Sequence, residues 1–459
     1  MTTPYVRQPG RRGGLAMRPV APTAIRAGAP DAARAPGQAW SAAVIQQRLR
    51  WPLVFTAFFA FAGVVISARF RAGQPLVILS VIGLLFQGKA LRWSTVTPLL
   101  ALWTAWCSFG LITSDYTDAV SDMVIQLLKL CVITLVGVNA LRTRAQVRAF
   151  SIFALFAFLI YPGRGSFLNW VTGAYTVFGR ALWNGVYANP NDLAAVALLV
   201  LSIAAGLIFT ERDRRLKLAA IATTTFLAFD IFITQSRGAL IALAVFVFVV
   251  LGLAPKKQRV RATVGVALIG AVVIAFAPSS VWDRLSGLKN VTSDDLSQVD
   301  AEGSATQRFE IWKVARTIIA EHPITGVGVG AYPLEHARVA LRPEFLPTAR
   351  GRRDTHSTYL NVAAETGLPG LMLFGAIIVV TLRYADRVRR RAARRDVAAA
   401  QQLLLLEVGL IVYLIAGLWG SFAKLNMLYL DLVLIWCTAK ALETEAAAAR
   451  ALPTSHPVR

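Results

Sequence analysis

One histidine in this sequence stands where proton chemistry is feasible. His356 lies in Asp354-Thr355-His356-Ser357-Thr358-Tyr359-Leu360, after Arg350, Arg352 and Arg353 and before an apolar run that carries Glu365. A neutral imidazole near pH 7 can take a proton from a hydroxyl, although a lone histidine can equally be structural. A second candidate is Ser236-Arg237-Gly238, a three-residue turn between two apolar runs. So short a turn needs no charge, and a guanidinium fork suits phosphate or pyrophosphate. The alternative is an arginine that snorkels to the headgroup level. Asp230, two turns earlier, is placed to hold it.

The third candidate is Asn189-Pro190-Asn191-Asp192, at the start of another apolar run. These residues serve either as helix caps or as amide groups at a polar cleft near the membrane surface. The fourth is 304–323. Ser304 and Gln307 have capping-box spacing, and Pro323 closes the helix. Phe309, Trp312, Ala315 and Ile319 are expected on one face, with Arg308 and Arg316 a turn to either side of Trp312. Such a helix packs on a bundle or a membrane surface, or contacts a phosphorylated lipid or a sugar. Gly326-Val327-Gly328-Val329-Gly330 lacks dinucleotide-binding spacing and reads as a tight backbone turn. Four histidines, and three cysteines set in apolar runs (Cys107, Cys131 and Cys437), supply neither a metal cluster nor a disulfide framework.

The elements that must position these residues are membrane helices. Of 459 residues, 56% are hydrophobic and 16% charged, against about 25% charged in soluble domains, and the mean hydropathy is +0.56. Yet Lys plus Arg number 48 and Asp plus Glu 25, a net charge of +23. Few charges with a strong basic excess argue against a soluble nucleic-acid binder. So much apolar surface excludes a disordered chain. Apolar runs of about 20 residues mark candidate spans. They fall at 51–68, 74–88, 96–113, 119–139, 147–162, 192–210, 216–234, 238–254, 261–277, 357–381, 400–418 and 421–438, with a re-entrant hairpin as the alternative for 51–88.

With both termini cytoplasmic, the basic clusters fall inside, as the charge rule for membrane loops requires. These clusters include Arg142 and Arg144, Arg212 to Arg215, Lys256 to Arg259, and Arg387 to Arg395. The short outer loops are nearly bare, Arg69 and Arg71 in the first being the exception. The expected organisation is therefore an all-α polytopic bundle of about twelve spans. A disordered basic cytoplasmic tail (1–50) precedes helices one to nine (51–277). A large outer loop with an amphipathic helix (278–356), helices ten to twelve (357–438) and a cytoplasmic tail (439–459) follow. The first 50 residues lack the apolar core of a signal peptide. An organellar transit peptide is the alternative to a tail drawn to anionic lipid. The charges in or at the ends of spans, Lys129, Glu365, Glu407, Asp431 and Lys424, need partners or a cavity.

In this order, the motifs resemble the bacterial superfamily of O-antigen ligases and O-antigen polymerase-related glycan-assembly enzymes. The matching pieces are Asn189-Pro190-Asn191-Asp192-Leu193-Ala194, Ser236-Arg237-Gly238-Ala239, the Arg308-to-Trp312 helix, His322-Pro323-Ile324-Thr325-Gly326-Val327-Gly328, and His356-Ser357-Thr358-Tyr359-Leu360 through Glu365-Thr366-Gly367-Leu368-Pro369-Gly370. One position departs: this motif's histidine is commonly followed by Asn, and here by Ser357. The resemblance implies a membrane-embedded, type C-like inverting glycosyltransferase that needs no metal, nucleotide sugar or other cofactor. It implies a bacterial inner-membrane protein with a periplasmic active site, serving lipopolysaccharide or other polysaccharide biosynthesis. The donor it implies is a glycan on undecaprenyl pyrophosphate, and the acceptor a lipid A–core sugar in a ligase or another lipid-linked repeat in a polymerase. It assigns pyrophosphate binding to Arg237 and Arg308 and the acceptor-activating base to His356. Asn189, Asn191, Asp192, Trp312, Arg353 and Glu365 are supporting candidates. Nucleic acid is not an expected partner. The rival from another class is a polysaccharide transporter or flippase, which would use the charges inside spans. Against it stand the absence of an evident internal repeat and the gathering of candidate residues at the outer face.

Overall fold

Apolar segments in a bilayer must satisfy their own backbone hydrogen bonds, which restricts them to helices or closed barrels. Here they form helices. The computed structural model describes residues 52–69, 73–85, 91–253, 256–275 and 304–451. The expected basic tail, residues 278–303 of the long loop and the last residues of the C-terminal tail lie outside the described residues. In chain order the helices are α1 (Pro52–Ser67), α2 (Gly73–Leu85), α3 (Val96–Thr113), α4 (Thr117–Ala140), α5 (Arg144–Thr172), α6 (Pro190–Thr210), α7 (Arg214–Ile233), α8 (Arg237–Leu253), α9 (Lys256–Ala275), α10 (Ser304–Glu321), α11 (Tyr332–Val339), α12 (Thr358–Ala392), α13 (Val397–Ala416) and α14 (Asn426–Ala451). Each of the twelve expected spans overlaps one of them. Seven, α3 to α7 with α12 and α13, are long and apolar enough to cross a membrane; α1, α2 and α8 are shorter apolar helices. The protein is an all-α polytopic membrane protein.

Helix α6 is apolar on every side, which is the pattern of a helix surrounded by others. Leu193 to Val200 are almost wholly buried. Neighbouring α13 comes close because Gly409 faces Ser202: a Cβ at 409 would lie 2.2 Å from Ser202 Oγ. Small residues at such contacts allow the backbone approach that drives packing in membranes. Helix α5 contains one wide π turn, Leu159–Gly163, at Pro162, which lacks the N–H needed to continue the regular ladder. Helix α12 breaks at Gly367 (φ 69°), followed by Pro369.

Three of the charges inside spans have ion partners. Glu365 meets Lys424 Nζ at 2.8 Å, and Glu407 meets Arg389 Nε at 3.0 Å. Asp431 departs from the expectation: it is buried, and neither carboxyl oxygen has a hydrogen-bond partner among the described residues.

Two smaller units sit at the end of the bundle where α6, α8 and α12 begin. Between α5 and α6, β1 (Thr176–Val177) and β2 (Arg180–Ala181) pair antiparallel, Val177 opposite Arg180. Between α10 and α12, a separate apolar core joins Val314, Ala315 and Ile318 of α10 to Val327, Tyr332, Val339 and Phe345. The buried stripe of α10 is Ile311, Val314, Ala315 and Ile318. The expected face is therefore rotated by about one position, and Phe309 is left exposed, with the Lys313 ammonium 5.4 Å from its ring centre. Both stripes have helical spacing, and the core built by 327–349 selects between them.

Candidate functional site

Three arginines distant in sequence line one cleft. Arg180, Arg237 and Arg308 are joined there by Asn191, Ser236 and Trp419. Each is delivered by a different local device. Arg180 is on the buried strand of the hairpin. Its Nε donates to Thr234 O and its Nη2 to Asn191 Oδ1, both at 2.8 Å. Arg237 opens α8 after a turn in which Gln235 takes a left-handed backbone (φ 53°). The Thr234 hydroxyl shapes that turn, donating to Ile231 O (2.6 Å) and accepting from Ser236 N (3.3 Å). Gly238 packs on Trp419, where a Cβ would come within 3.0 Å of the indole ring. Arg308 projects from the first turns of α10.

The motif at 189–192 performs both expected roles, divided between its residues. Asn189 Oδ1 caps α6 by accepting from Asn191 N at 2.9 Å. Asn191 turns its own amide oxygen to Arg180. Asp192 lies in the first turn of α6. Asp230 does not take the place expected of it. It is fully buried and accepts from Ser166 Oγ at 2.7 Å, and its other oxygen has no hydrogen-bond partner among the described residues.

His356 is half-buried and also left-handed, with φ 48°. A non-glycine residue in that region carries strain that its surroundings must hold. The neighbouring Thr355 is the anchor. Its carbonyl accepts from Trp312 Nε1 at 2.9 Å, its hydroxyl donates to Ser357 O at 2.9 Å, and it lies 2.8 Å from Ser421 Oγ. Trp312 thus ties α10 to the histidine's loop. Burial holds the imidazole's pKa below its ordinary 6.5; Arg308, Arg353 and Arg180 push the same way and Asp354 opposes them. The neutral ring is therefore favoured near pH 7, as a proton acceptor requires. The field of Arg180 and Arg308 links this histidine to the arginine cleft. Arg353 is exposed, its Nε donating to Arg350 O at 3.3 Å. Two other arginines of the same loop are structural: Arg338 pairs with Glu335, and Arg342 with Glu321.

Glu365 is not at the cleft. Besides Lys424, it accepts from Asn361 Nδ2 at 3.3 Å, and its backbone carbonyl accepts from Gly328 N at 2.9 Å. The glycine run is the tight turn expected of it. Gly326, Gly328 and Gly330 all have positive φ, and a Cβ on Gly326 would lie 2.4 Å from the Glu365 carbonyl carbon. It lies against the α12 break, where Leu368 N donates to Pro323 O at 2.8 Å. Gln307, expected to close a capping box, donates to Thr348 O at 3.2 Å.

The sequence reading missed Arg180 and Trp419. The signal for Arg180 was a turn-forming Phe178-Gly179 just before an arginine, in the segment between two apolar runs. Trp419 gave no local signal. Among the described residues no group of three or more His, Cys, Asp or Glu could hold a metal ion.

Fold and site describe a polytopic helical membrane protein with an arginine-lined cleft and a half-buried histidine in the arginines' field. The O-antigen ligase family matches residues 222–375, a stretch holding Arg237, Arg308, Trp312, Arg353, His356 and Glu365. The exopolysaccharide production protein ExoQ of Rhizobium meliloti is 23% identical over 368 residues, 78% of this chain and 79% of its own. Together the two matches support the O-antigen ligase and polymerase-related superfamily, whose members are glycan-assembly enzymes.

Proposed function

We propose that the protein is a metal-independent, inverting glycosyltransferase of the O-antigen ligase type. It moves a glycan from undecaprenyl pyrophosphate to an acceptor hydroxyl at the periplasmic face of the inner membrane. Its twelve apolar helical segments would then all cross, with both termini in the cytoplasm. The observation that carries this reading is the convergence of Arg180, Arg237 and Arg308 on one cleft whose field also acts on His356.

The chemistry follows from those groups. Neutral His356 accepts the acceptor's hydroxyl proton as its oxygen attacks the anomeric carbon. The bond from that carbon to the phosphate oxygen breaks, and its electron pair leaves with undecaprenyl pyrophosphate. The guanidiniums meet the developing negative charge as fixed, preorganised donors. Asn191 fixes Arg180, Trp312 and Thr355 fix His356, and Arg353 lends positive charge near the ring. Glu365 with Lys424 holds α12 to the turn before α14. A lipid A–core sugar is the proposed acceptor. The relative named for exopolysaccharide production favours a polymerase as the second reading, with a lipid-linked repeat as acceptor.

The test is a deletion strain complemented with wild type or His356→Ala. Loss of core-attached glycan on deletion, restored by wild type and not by an inserted, normally abundant His356→Ala, is the expected result. Loss of chain length on the lipid carrier would instead select the polymerase. Near-normal transfer by His356→Ala would sink the base assignment. Arg237→Lys should also cripple transfer, because an ammonium lacks the bidentate fork.

A further inference from the structure

We propose that the hairpin at 176–181 grips a lipid-linked pyrophosphate at two points, Arg180 on the head group and Phe178 with Val177 and Tyr175 on the first units of its isoprenoid chain. This rests on the donor class argued above.

The hairpin turn is the starting observation. Its two central residues, Phe178 and Gly179, both have positive φ, 52° and 71°. Such primed turns match the twist of the strands and favour Asn-Gly or Asp-Gly, because a side chain at the first position is strained. For a bulky ring that conformation is an outlier. Phe178 occupies it nonetheless, with 81% of its surface exposed, so burial against the described residues does not offset the strain. Strain kept where the protein gains no packing is typical of ligand clamps.

The neighbours extend the apolar surface. Tyr175, Val177 and, at the end of α5, Val171 are also exposed. Arg180, two residues beyond Phe178, is buried in the cleft. Two residues reach at most about 7 Å, so tip and guanidinium lie within one ligand's length. A pyrophosphate held in the cleft must send its chain out into hydrocarbon, and this apolar surface is within reach of the cleft's Arg180. A bilayer anchor would need no particular backbone, since any exposed strand position would dip equally well. A fixed, strained turn is required only when the chain's path is defined.

The experiment is binding to the purified full-length protein in nanodiscs of one lipid composition. The probes are undecaprenyl pyrophosphate and inorganic pyrophosphate, and the variants are Phe178→Asn and Arg180→Lys. Asn suits the turn, so that variant should fold at least as stably as wild type. It should bind undecaprenyl pyrophosphate about tenfold more weakly, the effect of losing much of one aromatic contact, and inorganic pyrophosphate unchanged. Arg180→Lys should weaken both. Wild-type binding of both probes, with Phe178→Asn altering neither or altering both equally, overturns this inference alone. A wild type that binds neither probe overturns the donor reading and this inference with it.

Discussion

Replacing Trp312 by Phe tests how the histidine is held. His356 sits in a left-handed backbone that costs roughly 1–2 kcal/mol in a residue with a side chain. The restraint acts through Thr355, whose carbonyl accepts from Trp312 Nε1 at 2.9 Å. The substitution keeps an aromatic ring and removes this donor. Thr355 is fully buried, so its carbonyl would be stranded without a partner. Such a loss costs about 1–3 kcal/mol, as much as the strain it helps to hold. If the loop relaxes to recover that energy, His356 leaves its working position. The expected result is a fall in kcat of about 5- to 150-fold, the same energy read as a rate. KM for the lipid-linked donor should stay within about twofold, because the cleft arginines are untouched. The assay is transfer by purified protein in nanodiscs, with the melting temperature followed in parallel. Thr355→Val, which deletes the hydroxyl's contacts to Ser357 and Ser421, should give the same split. A folded Trp312→Phe protein with near-wild-type kcat, or one losing kcat and donor affinity together, would refute the reasoning.

Two further outcomes are expected. The pKa of His356 lies below 6.5, and the neutral ring is the active form, so transfer should be lost only as pH falls through a midpoint under 6.5. Asp354 favours the charged ring, so Asp354→Asn should move the acid limb of kcat/KM to lower pH and Arg353→Gln to higher pH; a shift in the opposite sense for either would contradict the assignment. Gly326→Ala should destabilise the protein by about 2–3 kcal/mol, because φ is +67° there and the new methyl would meet the α12 backbone. Thermal unfolding unchanged by that substitution would contradict the close approach.

The sequence by itself determined the class of structure and the kinds of chemistry. Apolar runs set the helices, because backbone polar groups in hydrocarbon must be paired within the segment. A turn just ahead of Arg237 (it falls at 234–236, with Arg237 and Gly238 already in α8), the caps at 189–191 and the glycines at 326–330 were legible because each is a local conformation with its own residue preferences. His356 and Arg237 stood out because charged or titratable groups are scarce where apolar runs begin. What tertiary structure decided was which of these residues meet. Arg180, Asn191, Arg237, Arg308 and Trp419 share a cleft only through contacts between segments tens to hundreds of residues apart, which no local spacing encodes. The same holds for the face α10 buries, for Asp230 bonding Ser166 and not Arg237, and for the left-handed backbone of His356. Each has competing local solutions of similar energy, and packing against distant segments selects one of them.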